Sequence, residues 1–248
     1  MDCPNTEKTE RKKISPENFS RVIQSSIGNA SSGGDKRTIV NGFELTGPFT
    51  LTPEQGIPAD HDVILMNITV PEIFEVKGVS LNSLGFIDFE ITGQSKVGNH
   101  GLNIEKVNIK GLGLVKFKAT CHDIHTCPEC TIGDIRMGSS ELSNCIFFGN
   151  LRDSMEFRNS TLHGCINLMN MEILNGAQIH FGEGLKIGGG MSFVDLNGPG
   201  ARFSFAGGLF DGDFVGIKGR ENGLGMMGSP NSIETLIEKV RSEGGEGS

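Results

Sequence analysis

The alternation of polar and apolar positions changes rhythm twice along the chain. Residues 1–14 are polar and charged and predict a disordered tail. Ser15-Pro16-Glu17 then reads as a helix start: a serine that can cap free amides, a proline with helical φ, and an acid at the positive dipole end. Phe19, Val22, Ile23 and Ile27 fall on one helical face, and Gly28-Asn29 is expected to end the helix. From about Thr38 the period becomes two. Ile39, Phe43, Phe49 and Leu51 belong to short strands, broken by Gly42 and by Gly47-Pro48. The alternation runs on to about residue 220 with no helical pattern of ten residues or more.

An internal repeat organises this alternation. Apolar-x-apolar pairs recur at Val115/Phe117, Ile135/Met137, Met155/Phe157, Ile179/Phe181 and Phe203/Phe205, giving first-member spacings of 20, 20, 24 and 24. Ser140-Glu-Leu142-Ser-Asn-Cys145-Ile146 matches Ser160-Thr-Leu162-His-Gly-Cys165-Ile166 at a spacing of 20. A third set is Met171/Ile173, Met191/Phe193 and Val215/Ile217, and Ile68/Val70 and Ile87/Phe89 extend the pattern less regularly upstream.

Three short strands per repeat predict an all-β fold, a single-stranded β-helix (β-solenoid) with coils of about 20–24 residues. Right-handed winding follows from the usual chirality of parallel crossovers. Cys145 is expected to lie over Cys165, and Phe157 over Phe181, inside one continuous column. The predicted organisation is a tail at 1–14, a helix and linker at 15–37, the solenoid at 38–228, and a second capping helix and tail at 229–248. In that last segment Asn231 and Glu234 form a capping box ahead of Ile233, Leu236, Ile237 and Val240. Two caps argue against end-to-end polymers, so a monomer or a lateral homo-oligomer is expected. The Gly-punctuated coils over residues 60–220 resemble the bactofilin filaments in a general way, with no shared motif.

Composition agrees with a stacked interior. The 248 residues include 36 Gly, which suits many tight turns, and 16 Phe with no Trp or Tyr, which suits a dry core. The net charge of −8 argues against a general nucleic-acid binder, whose affinity needs basic groups on phosphates; the run Arg11-Lys12-Lys13 reads as solvated. There is no apolar stretch of membrane-spanning length. The N-terminus, with Asp2, Glu7, Lys8 and Glu10, lacks an apolar signal core. A cytoplasmic location with reduced cysteines is therefore the expectation.

Candidate chemistry is sparse. Cys121, His125, Cys127 and Cys130, with His122 beside them, are the one dense set of soft ligands. A C-x-x-C half-site plus two further donors could hold structural zinc, and a redox-active or reactive thiol is a second reading. In repeat register His122 falls where Leu142 and Leu162 stand, so the apolar rung looks broken there. Asp211 and Asp213, with Lys218 or Arg220, could supply the acid, base and cation of a polysaccharide-cleaving β-helix enzyme, although paired Asp in a Gly-rich turn also bond their own backbone. Gly223-Leu-Gly225-Met-Met-Gly228 matches a dinucleotide-binding glycine pattern without the following strand that pattern needs, and is expected to be a flexible link. The functional expectation is a non-enzymatic structural or protein-interaction protein that uses the lateral face of the solenoid, with a protein as its partner.

Overall fold

The computed structural model describes residues 10–93, 101–119, 123–174, 177–187, 190–196, 202–205, 209–210, 214–219 and 225–228. They form a parallel β-solenoid. One long ladder stacks Arg37–Leu45, Asp62–Val70, Ser80–Ile91, Asn108–Val115, Thr131–Gly138, the second half of Cys145–Arg158, Gln178–Phe181, Arg202–Phe205 and Gly225–Gly228. A second stacks Phe49–Leu51, Phe74–Lys77, Leu102–Glu105, Ile124–Thr126, the first half of Cys145–Arg158, Cys165–Ile173, Gly190–Leu196 and Phe214–Gly219. A third, of two-residue strands, joins Lys118–Ala119, Glu141–Leu142, Thr161–Leu162, Lys186–Ile187 and Leu209–Phe210.

Alternation decides which side chains enter the column. In Asp62–Val70 the inward residues Val63, Leu65, Ile68 and Val70 are wholly buried, while Ile64 and Met66 face outward. The step from Leu65 to Ile68 skips one residue, because Asn67 takes a left-handed conformation and turns the chain. The same corner recurs in every neighbouring coil: Gly42, Asn67, Asp88, Lys116, Ser139 and Asn159 stack, with φ of 84°, 52°, 50°, 51°, 51° and 47°. Gly42 therefore bends a strand that the sequence pattern breaks in two.

Phenylalanine fills the core in contact series. Phe19 of the capping helix meets Phe49 at 4.9 Å, Phe49 meets Phe74 at 5.4 Å, Phe74 meets Phe89 at 5.3 Å, and Phe89 stacks on Phe117 at 5.4 Å. Further along, Phe147 meets Phe157, which stacks on Phe181.

The helix spans Pro16–Ser32 and packs on the first coil through Phe19, Ile23 and Ile27. Ser15 Oγ accepts the Asn18 amide at 3.3 Å. The helix does not stop at Gly28-Asn29. It continues a further turn and ends at Gly33, because glycine permits a stop without compelling one, and Asn29 and Ala30 carbonyls still receive the Gly33 amide. Within the expected tail, Lys12–Ile14 pairs with Phe43–Leu45 as an edge strand. Arg11 is not merely solvated: it donates to Asn67 and Thr69 and lies 3.6 Å from Glu90.

Four predicted registers are displaced. Ile68 pairs with Phe89 and Val70 with Ile91, while Ile87 faces outward ahead of the Asp88 corner. Ile135 and Met137 pair with Leu112 and Leu114, a spacing of 23, and Val115 faces outward at 42% exposure. The alternation cannot see that Lys116 turns the corner, which puts Val115 and Phe117 on different sides. Cys145 pairs with Ile166 instead of Cys165, which is half-buried. The turn after Leu162 is one residue longer than the turn after Leu142, and an odd insertion reverses facing. Met171 and Ile173 pair with Gly149 and Leu151, while Met191 and Phe193 pair with Ile166 and Leu168. Gly225–Gly228, expected as a link, is a strand in register with Arg202–Phe205. The predicted C-terminal helix lies outside the described residues.

Candidate interaction surface

The outer side of the long ladder carries an apolar patch where a solenoid face would ordinarily be polar. In register, Ile39, Ile64, Gly85, Gly113 and Arg136 form one outward row, flanked by Asn41, Met66, Ile87, Val115 and Gly138. Ile39 is 50% exposed. Where the row reaches Gly85 and Gly113, the missing side chains leave a groove of about 340 Å³, lined by Ile64, Ile87, Val115, Ser83, Asp134 and Arg136 among others. Its floor is Gly backbone, one wall is aliphatic, and the other is polar.

The polar wall is tied down. Asp134 accepts the Ser154 hydroxyl at 2.6 Å and lies 3.4 Å from the Arg136 guanidinium. Asp62 accepts Asn82 and Ser83 at 2.7 Å each. Burial opposes ionisation of Asp62, but those two hydrogen bonds and nearby Arg37 outweigh it and hold the carboxyl below its usual range.

Gly85 and Gly113 are not demanded by the fold. Neither has positive φ, and a Cβ on Gly113 would meet nothing nearer than the Gly85 Cα at 4.0 Å; on Gly85 the nearest atom is Ile64 Cγ1 at 3.7 Å. Contrast Gly133 and Gly149, where a Cβ would lie 2.2 Å from the Lys110 carbonyl oxygen and 2.4 Å from that of Cys130. Glycine inside a strand costs roughly 0.5–1 kcal/mol relative to alanine, so Gly85 and Gly113 reduce stability without serving backbone geometry. What they create is the groove.

Of the cysteine and histidine set, His125, Cys127 and Cys130 lie among the described residues. Cys127 and Cys130 lie together, Sγ to Sγ 3.2 Å, in a turn closed by the Cys130 amide on the Cys127 carbonyl. His125 turns its ring to Asn103, 3.4 Å away, and tilts over Phe148. Cys121 and His122 lie outside the described residues, and among those described no three His, Cys, Asp or Glu side chains group as metal ligands. The rung opposite Leu142 is unbroken: buried Ala119, not His122, stands there, because the connection from Ala119 to Ile124 is longer than that from Leu142 to Cys145. Burial pushes the Cys145 thiol well up, with Asp123 adding to it.

Asp211, Asp213 and Arg220 lie outside the described residues, and Lys218 is placed only by its backbone pairing with Val194. The apolar pattern does not reveal the groove, because it places Val115 in the interior, whereas Val115 is exposed on the outer face. Comparisons of the chain with protein-family models, curated proteins and solved structures give no match.

Proposed function

We propose that this protein is a non-enzymatic binding scaffold that holds a protein partner against its lateral face at the Gly85–Gly113 groove. The observation that supports this reading is the pair of strand glycines that the fold does not require and that open an apolar hollow. A flat floor beside Ile64, Ile87 and Val115 suits an aromatic or branched aliphatic side chain of the partner. Ser83, Asp134 and Arg136 line the opposite wall and would offer their remaining hydrogen-bonding capacity to the partner's peptide groups. The physical basis is ordinary interface chemistry: an apolar centre excludes water and a polar rim sets orientation.

The test fills the hollow. Gly113→Val should raise the unfolding free energy by roughly 0.5–1 kcal/mol. In parallel, a photo-cross-linking residue at Val115 should capture a discrete protein from native lysate, and Gly113→Val in the same chain should abolish that product. Identical products with and without the valine would overturn the proposal.

A further inference from the structure

The turn Cys127-Pro-Glu-Cys130 has a geometry whose chemistry is independent of the groove. Its two sulfurs stand 3.2 Å apart, inside van der Waals contact and about 1.2 Å beyond a covalent S–S bond of about 2.0 Å. The hydrogen bond from the Cys130 amide to the Cys127 carbonyl, 3.0 Å, makes this a β-turn, whose ends lie within about 7 Å between Cα atoms, a separation that spans the usual disulfide range. The backbone is held from both neighbouring coils. The Cys127 amide donates to the Ile104 carbonyl at 3.0 Å, and the Cys130 carbonyl accepts the Asn150 amide at 2.8 Å. Side-chain rotation alone would therefore bring the sulfurs together.

The two thiols differ in access. Cys127 is half-buried and its sulfur accepts the Lys106 amide at 3.2 Å, whereas Cys130 is buried and hydrogen-bonds the Ile104 carbonyl at 3.1 Å. Burial pushes the Cys130 thiol up to about 11, with the neighbouring Cys127 also raising it. An outer thiol that meets solvent backed by an inner one that does not is the arrangement of an attacking and a resolving cysteine.

We infer that Cys127 and Cys130 are an oxidisable dithiol that closes to an intramolecular disulfide on reaction with a small-molecule disulfide such as glutathione disulfide. The Cys127 thiolate attacks one sulfur of the oxidant, expels one glutathione thiolate and forms a mixed disulfide. Cys130 then attacks the Cys127 sulfur, loses its proton to solvent and releases the second glutathione. Two protein thiols and one glutathione disulfide become one protein disulfide and two glutathione thiols, a two-electron exchange. Closure removes the hydrogen that Cys130 gives to Ile104, so the oxidised turn keeps its backbone bonds and loses that one contact.

The experiment uses the reduced full-length protein equilibrated without oxygen in glutathione mixtures of increasing oxidised fraction. Thiols are trapped with N-ethylmaleimide and the peptides mapped by mass spectrometry. Cys127 and Cys130 should lose alkylation together and nearly completely, in a peptide lighter by two hydrogens, while Cys145 stays alkylatable after unfolding. Cys130→Ser should instead accumulate glutathione on Cys127. Three results would overturn the inference: both thiols still alkylated in pure glutathione disulfide, a bridge from Cys127 to any other cysteine including Cys121, or a lasting glutathione adduct on Cys127 in the unaltered chain. The measurement on the unaltered chain decides the matter even if Cys130→Ser does not fold.

Discussion

Phe157 and Phe181 stack face to face, ring centroids 5.4 Å apart and planes within 6° of parallel, although 24 positions separate them in the chain. Both are wholly buried, in strands paired residue for residue. One coil thus supplies the floor for the next, and neither ring could be buried by its own coil alone.

Truncating either ring should therefore destabilise both coils. Phe157→Ala and Phe181→Ala are each expected to cost about 3–5 kcal/mol. The double variant should recover about 0.5–1.5 kcal/mol relative to the sum, because the ring pair is lost only once. Urea unfolding followed by circular dichroism measures all three.

Ser140 should behave as a buried connector. It is 2% exposed, its hydroxyl accepts the Phe117 amide at 3.2 Å, and it can donate to the Leu114 or Gly138 carbonyl. Ser140→Ala removes the partner of a buried amide, so a loss of about 1–3 kcal/mol is expected. Hydrogen exchange at the Phe117 amide should accelerate by more than its neighbours' average, which separates a local cause from general loosening.

The left-handed corner makes a directional prediction. Ser139 and Lys116 hold φ of 51°, a conformation that costs roughly 1–2 kcal/mol for a residue with a Cβ. Lys116→Gly should leave stability unchanged or raise it by up to about 1 kcal/mol, since strain is relieved while unfolded-chain entropy rises. Ser139→Val, β-branched at the same φ, should lower it by about 1–2 kcal/mol. Thermal melting of both variants against the unaltered chain checks the opposite signs.

Glu75 links stability to pH. Burial disfavours its charge, but the Lys77 ammonium at 2.9 Å and the Thr50 hydroxyl at 2.9 Å outweigh that and hold the carboxyl below its ordinary 4.5. A folded-state value lower than the unfolded one stabilises the fold above about pH 4.5, and the contribution is lost as pH falls through the folded value. Glu75→Gln should be less stable than the unaltered chain at pH 7, with the gap narrowing below pH 4.5 in urea titrations.

The class of fold and much of its interior can be read from the amino-acid order alone. Alternating apolar residues at a coil-length repeat, phenylalanine without tryptophan or tyrosine, and a serine–proline helix start are local facts, and local facts survive any register. Ser15, Phe19, Ile23 and Ile27 act as the pattern reads them, and Met155, Phe157, Ile179 and Phe181 pair as their spacing implies. Which residues lie atop which is set by the folded backbone. A left-handed residue at Lys116, or one additional residue before Ile166, reverses the side that the following chain faces, and backbone dihedrals of that kind leave no trace in an apolar pattern. For the same reason the groove became visible only in three dimensions. A glycine letter does not reveal whether a neighbouring carbonyl fills the space above it, as at Gly149, or whether the space stands open, as at Gly113.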